Sequence, residues 1–266
     1  MDASVKPYLN LPTLSLEGKK GLIIGIANDQ SIAYGCAEHC RAYGAEVAIT
    51  YLNDKAEKWV RPLAEGLDAP IIMPCDVSID GQLEAVFAEI EKQWGRLDFV
   101  IHSIAFANRE DLHGRVVDCS RDGFMLAMDI SCHSFMRCAK LAEPLMTNGG
   151  ALITVSFYGG RKVVEHYNVM GPVKAALEAS TKYMAAELGP KGIRVVALSP
   201  GPLKTRAASG IAHFDELMDA AAAKAPTHHL ADLNDCGSFA AYLVSDLAKS
   251  VTGTTLFIDG GYHIVG

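Results

Sequence analysis

Short runs of consecutive apolar residues alternate along this chain with longer stretches in which apolar residues return every third or fourth position. A strand buried on both faces needs apolar side chains in unbroken succession, whereas a helix packed on one face needs only a stripe. Runs of the first kind are 21–26, 46–51, 70–75, 97–102, 151–156, 193–198 and 255–259. Stretches of the second kind are 32–43, 54–66, 79–94, one near 121–146, and one opening at 166 and extending through 188. The alternation predicts an α/β fold, a doubly wound sheet of about seven parallel strands with helices on both faces. Ligands of such sheets bind beyond the carboxyl ends of the strands, where the strand order reverses. The stretches 103–120 and 200–213 are therefore expected to wall a site, with a substrate lid over about 200–225 after the sixth strand.

Composition narrows the classes of function. The chain has 266 residues, half of them hydrophobic, enough for one large core, and its net charge of -7 disfavours nucleic acid and anionic membrane as partners. Seven cysteines form no Cys-x-x-Cys pair and read as reduced thiols, so a cytoplasmic location is expected. No stretch has the length and hydropathy of a signal peptide or a membrane span. His228 and His229 have no third ligand nearby in sequence, and no metal site is expected.

Candidate chemistry gathers at the carboxyl ends of the expected strands. After the first come Gly25, Ser31, Ile32 and Gly35, where glycine permits a tight turn and the helix amides can face a pyrophosphate; an ordinary strand-to-helix turn reads the same way. Asp76 and Val77 follow the third strand, the carboxylate facing an adenine amino group or forming a helix cap with Ser78. Ser103, Ile104 and Ala105 follow the fourth, and their small side chains let a ligand approach the backbone. Pro200 to Thr205 follow the sixth, where the threonine hydroxyl and the backbone amides can hold a carboxamide and phosphates, or the segment forms a rigid turn. The second strand ends in Tyr51-Leu52-Asn53-Asp54 with no basic residue before Lys55, so a ribose 2'-phosphate finds no partner and NADH is preferred over NADPH. The pattern reads as a Rossmann-type single domain over 19–266 behind an N-terminal extension, 1–18.

Lys174 follows Tyr167 by seven residues. On a helix that spacing brings two side chains to within about 20° of each other, so a phenol and an ammonium share a face. A phenol steadied by a cation is a proton donor; the alternative is a packed ring and a solvated surface charge.

The segments Ser31-Ile-Ala-Tyr-Gly35, His102-Ser-Ile104, Tyr167-Asn-Val-Met-Gly171 with Lys174, Ala207-Ala-Ser-Gly-Ile211 and Asp259-Gly-Gly261 resemble the bacterial NADH-dependent enoyl-acyl-carrier-protein reductases. These form a divergent branch of the short-chain dehydrogenases, whose ordinary members place the lysine four residues after the tyrosine. The resemblance covers nearly the whole chain. It implies an enzyme of type II fatty acid synthesis that moves hydride from NADH to Cβ of a trans-2-enoyl thioester, with Tyr167 stabilising the enolate oxygen and Lys174 holding the nicotinamide ribose. It further implies NADH contacts from Gly25, Ser31, Ile32, Asp76, Val77, Ile104 and Lys174, and from Leu203, Lys204, Thr205, Arg206 and Ala207. Ala107 and Phe214 would face the acyl chain, an acyl carrier protein would present it, and four copies would assemble through helices 121–146 and 166–188.

Several positions depart from that family's pattern. A second active-site tyrosine is common ten residues before the first; here Phe157 stands there, with Tyr158 beside it as the candidate substitute. Leu52 replaces a glutamine near the adenosine, and Ala105 replaces a glycine beside the nicotinamide. The helix after the lid carries Asp215, Glu216 and Asp219, which opposes an acidic carrier. Two alternatives therefore stand beside the main reading: a related reductase acting on another activated alkene or carbonyl, and a non-catalytic NADH-binding paralogue.

Overall fold

Leu22 and Ile24 of the first strand, β1 (Lys20–Ile24), are buried in one apolar layer, and Ile23 between them is buried in another. Successive strand residues point to opposite faces, so an unbroken apolar run means a sheet covered on both sides. The computed structural model describes residues 12–205 and 214–265. Among them β1 is joined by β2 (Glu46–Tyr51), β3 (Ile71–Pro74), β4 (Phe99–His102), β5 (Gly150–Val155), β6 (Ile193–Pro200) and β7 (Thr254–Ile258). All pair in parallel, in the order β3-β2-β1-β4-β5-β6-β7. The order reverses between β1 and β4, and the expected sheet is the observed one. Leu16 is fully buried and its amide donates to the Tyr43 carbonyl, so packing begins ahead of residue 19, inside the expected extension.

The helices are α1 (Ile32–Ala42), α2 (Asp54–Gly66), α3 (Gln82–Trp94), α4 (Arg109–His113), α5 (Arg121–Met128), α6 (Ser134–Ala142), α7 (Met170–Leu188), α8 (Phe214–Lys224) and α9 (Leu233–Val244). One core sets α3, α6 and α7 against the sheet; the other sets α1, α2 and α9 against its opposite face. The long helix expected near 121–146 is interrupted by a π-helical segment, Asp129–His133, and closes in a 3-10 turn, Glu143–Leu145. α9 has no counterpart among the expected elements, although Asp232 and Asp235 cap each other's backbone at its start. It crosses α1 closely: a Cβ on Gly35 would come within 2.8 Å of the Leu233 carbonyl oxygen, and one on Gly237 would overlap the Gly35 carbonyl.

The helix carrying Lys174 does not begin at 166. His166 and Asn168 have φ of 63° and 41°, in the left-handed region that a right-handed helix excludes. Pro172 gives the reason. It has no amide hydrogen to donate to residue 168, so it belongs in a first turn, and α7 accordingly starts at Met170. Tyr167 lies in the turn ahead of α7, and a shared helical face does not explain its pairing with Lys174.

Candidate active site

A cleft opens at the β1/β4 reversal, walled by the segments that leave β1, β4, β5 and β6. Gly25, Ala27, Ser31 and Ile32 line it from the first turn, and Ser103, Ile104, Ala105, Phe106, Ala107 and Leu112 from the segment after β4. Val155, Ser156 and Phe157 approach from β5, with Tyr167, Met170 and Lys174 beside them. Pro200, Gly201, Pro202, Leu203 and Thr205 close the β6 side, and Phe214 enters from α8.

Beside the cleft the turns that leave β1 and β4 meet backbone to backbone. Gly25 has a φ of 112°, and a Cβ there would overlap the Ser103 carbonyl, whose own amide donates to the Ile24 carbonyl at 2.9 Å. The Ser31 hydroxyl accepts from the amides of Ala27 at 3.0 Å and Asn28 at 3.1 Å, so it shapes the turn. It makes no side-chain cap on α1, whose first amides can meet an anion. A glycine turn beside an uncapped helix start fits the pyrophosphate of a dinucleotide.

The adenosine candidates fare differently. Leu52, half-exposed after β2, and Asp76 and Val77 after β3 are not part of the cleft wall. Asp76 holds the Ser78 amide at 2.9 Å and its hydroxyl at 2.6 Å, forming a turn, while Gly81 occupies the cap position of α3. Val77 is buried in the core and its carbonyl accepts from Arg137 at 2.7 Å, which leaves its side chain no surface for a ligand. Lys204 is paired with Asp215 at 2.9 Å and stands outside the wall. Arg206 and Ala207 lie outside the described residues.

Tyr167, in the turn, and Lys174, on α7, both line the cleft. The Asn168 side chain donates to the Leu112 carbonyl at 2.7 Å, tying the turn to the wall after β4. The Phe157 ring meets the Tyr167 ring edge-on at 4.8 Å, and the Lys174 ammonium donates to the Val155 carbonyl at 2.6 Å. Both members of the pair are buried. Burial, with the Glu178 carboxylate second, pushes the Tyr167 phenol well above its ordinary range, so it keeps its proton. Burial pulls Lys174 down to about 8, against the opposing pull of Cys132 and Glu178. A phenol that keeps its proton is a hydrogen-bond donor.

Tyr158, the candidate substitute for the second tyrosine, does not reach the cleft. Its ring packs edge-on against Tyr262 at 5.4 Å and Phe257 at 6.5 Å, because the 3-10 turn Tyr158–Gly160 sends residues 157 and 158 to different sides. Tyr167 thus stands against an apolar ring where a second hydroxyl was expected. Phe106, Leu112 and Met170 also line the cleft. Phe106 and Leu112 fall in the stretch 103–120 that was expected to wall the site, whereas Met170 was not singled out in the sequence. Behind the wall, burial followed by the Lys174 charge lowers His102 to about 3, and this neutral imidazole bridges Thr154 at 3.2 Å and Ser134 at 2.8 Å.

Residues 25–263 match the profile of a family described as enoyl-(acyl carrier protein) reductase. The chain is 46% identical to enoyl-acyl-carrier-protein reductase (NADH) 1 of Rhizobium meliloti, covering 94% of this chain and 92% of the relative. It is 46% identical to the corresponding NADH enzyme of Nostoc, covering 95% and 99%. Among solved structures, the enoyl-acyl-carrier-protein reductase of Anaplasma phagocytophilum in complex with NAD superposes with a TM-score of 0.91 at 50% identity, over 96% of this chain and 97% of that one. The Bacillus cereus enzyme with NADP+ and an indole naphthyridinone superposes with a TM-score of 0.92 at 43% identity, over 96% and 100%.

Proposed function

The chain belongs to the enoyl-acyl-carrier-protein reductase family, and from that premise we propose how its own residues reduce the double bond of a trans-2-enoyl thioester. Gly25, Ser31 and the first amides of α1 would hold NADH, which would supply the hydride for Cβ. Tyr167, kept protonated by burial, donates a hydrogen bond to the thioester carbonyl oxygen and stabilises the enolate charge as it forms. Lys174, fixed by the Val155 carbonyl on one side, holds the ribose hydroxyls on the other and keeps cofactor and phenol in register. Phe106, Leu112, Met170 and Phe214 exclude water and take the acyl chain.

One observation carries this reading: Tyr167 and Lys174, both buried, line one cleft with the glycine turn that leaves β1. The test is oxidation of NADH by crotonyl thioester beside a panel of ketones. Turnover of the thioester alone supports the reading; turnover of a ketone alone moves the chain to a carbonyl reductase, and tight NADH binding without turnover to a silent paralogue.

An acyl carrier protein is the proposed thiol carrier, and acyl-protein against acyl-CoA as substrate decides it. The pairing of Asp215 with Lys204 supports docking, since it neutralises part of the acidic start of α8. The chain acts as a homotetramer in this reading, supported by exposed Phe124 and Met125 on α5 and Tyr183 on α7. No helix among the described residues is long and apolar enough to cross a membrane. A cytoplasmic enzyme fits the unpaired cysteines.

A further inference from the structure

Behind the cleft, the turn that follows β5 is joined to α7 by a buried carboxylate. Glu178, one helical turn beyond Lys174, is 5% exposed, and both its oxygens are engaged: Oε1 accepts from the Ser156 hydroxyl at 2.8 Å and Oε2 from Arg161 Nε at 2.7 Å. Ser156 lines the cleft, Arg161 follows the 3-10 turn, and Phe157 between them presses on the Tyr167 ring. On its other side the Arg161 guanidinium lies over the Phe257 ring, 4.9 Å from its centre. A planar fork held between a carboxylate and an aromatic face has little freedom.

A carboxylate withdrawn from water needs a cation, and its field reaches whatever is buried beside it. Here that includes the reacting pair: after burial, the Glu178 charge adds to the rise of Tyr167 and opposes the fall of Lys174. Negative charge next to Tyr167 opposes the enolate the phenol is there to stabilise. Resting on the function proposed above, we propose that Arg161 is a positioning residue of this reductase: it neutralises Glu178 so that the interior beside Tyr167 tolerates an oxyanion, and through Glu178 and Ser156 it fixes the turn that carries Phe157. Arg161 is not part of the cleft wall. Its effect is on the transition state, so it belongs in kcat and not in cofactor affinity.

The test compares wild type, Arg161→Lys, Arg161→Met and the double variant Arg161→Met/Glu178→Gln with crotonyl thioester and NADH, together with NADH affinity by fluorescence titration. Arg161→Met is expected to lower kcat by roughly tenfold or more, as an uncompensated interior charge does, while KM and NADH affinity stay within about twofold. Arg161→Lys should keep most of the activity. Removing the charge that needed neutralising should restore the double variant to within about threefold of wild type. A merely structural link gives the opposite ranking, the double variant no faster than the single one, and that result overturns the proposal. So does an Arg161→Met enzyme with unchanged kcat. Should Arg161→Met fail to fold, the double variant decides alone, near wild-type turnover supporting the proposal and its loss refuting it. A wild type without turnover refutes the underlying function instead.

Discussion

Burial governs the titration of the two residues on which the proposed reaction depends. The Lys174 ammonium exists below its value of about 8 and is lost as pH rises through it, so kcat/KM for NADH is expected to fall on the alkaline side of about 8. Lys174→Arg should abolish that limb, and a flat profile to pH 9.5 in the wild type would remove the lysine from the account. His102 carries the opposite lesson. Between its ordinary 6.5 and its folded value of about 3, the unfolded chain binds a proton that the folded chain refuses. Stability is therefore lost as pH falls through that window, by several kcal/mol at the acid end. Urea denaturation of wild type and His102→Gln from pH 7 to 4 should show a steeper acid loss in the wild type. Sequence made the Tyr167 and Lys174 pair legible as residue types, but not the strength of their burial, which depends on Phe157, Val155 and Met170 arriving from other elements.

Strands were the most legible elements, because a buried parallel strand writes itself as an unbroken apolar run, as Leu22 to Ile24 and Val47 to Ile49 do. Interruptions of helices were the least. Nothing in the apolar period of 121–146 marks the π segment at Asp129–His133, and the start of α7 was misplaced because its apolar pattern continues backward through a turn that Pro172 and two left-handed residues break. Asn168 in that turn is tied to Leu112, so one short segment sets the distance between the phenol and the acyl wall. The crossing of α1 and α9 also depends on absent side chains. Gly237→Ala places a methyl against the Gly35 carbonyl and should cost roughly 1–3 kcal/mol in thermal or chemical denaturation, with the helices forced apart beneath the cofactor turn. An unchanged melting temperature would show that this contact is slack.

The molecule as a whole is a two-sided sheet whose reversal point collects backbone from β1 and β4 and side chains from β5, α7 and β6. Fold and reaction class were both foreseeable from local motifs, since each motif directly follows a strand. The adenosine side was not, because Val77 turns into the core and Asp76 into its own turn. The exposed apolar residues of α5 and α7 lead us to expect a tetramer by light scattering at micromolar concentration, and a monomer would leave Phe124, Met125 and Tyr183 without a partner copy. The central claim is narrower: the Tyr167 hydroxyl stabilises the charge that appears on the acyl oxygen. It is tested most directly by single-turnover reduction of crotonyl thioester with NADH in wild type and Tyr167→Phe. The account predicts a chemical step slowed by roughly 10²- to 10⁴-fold with NADH affinity retained. A Tyr167→Phe enzyme that reduces the thioester at the wild-type rate would contradict it.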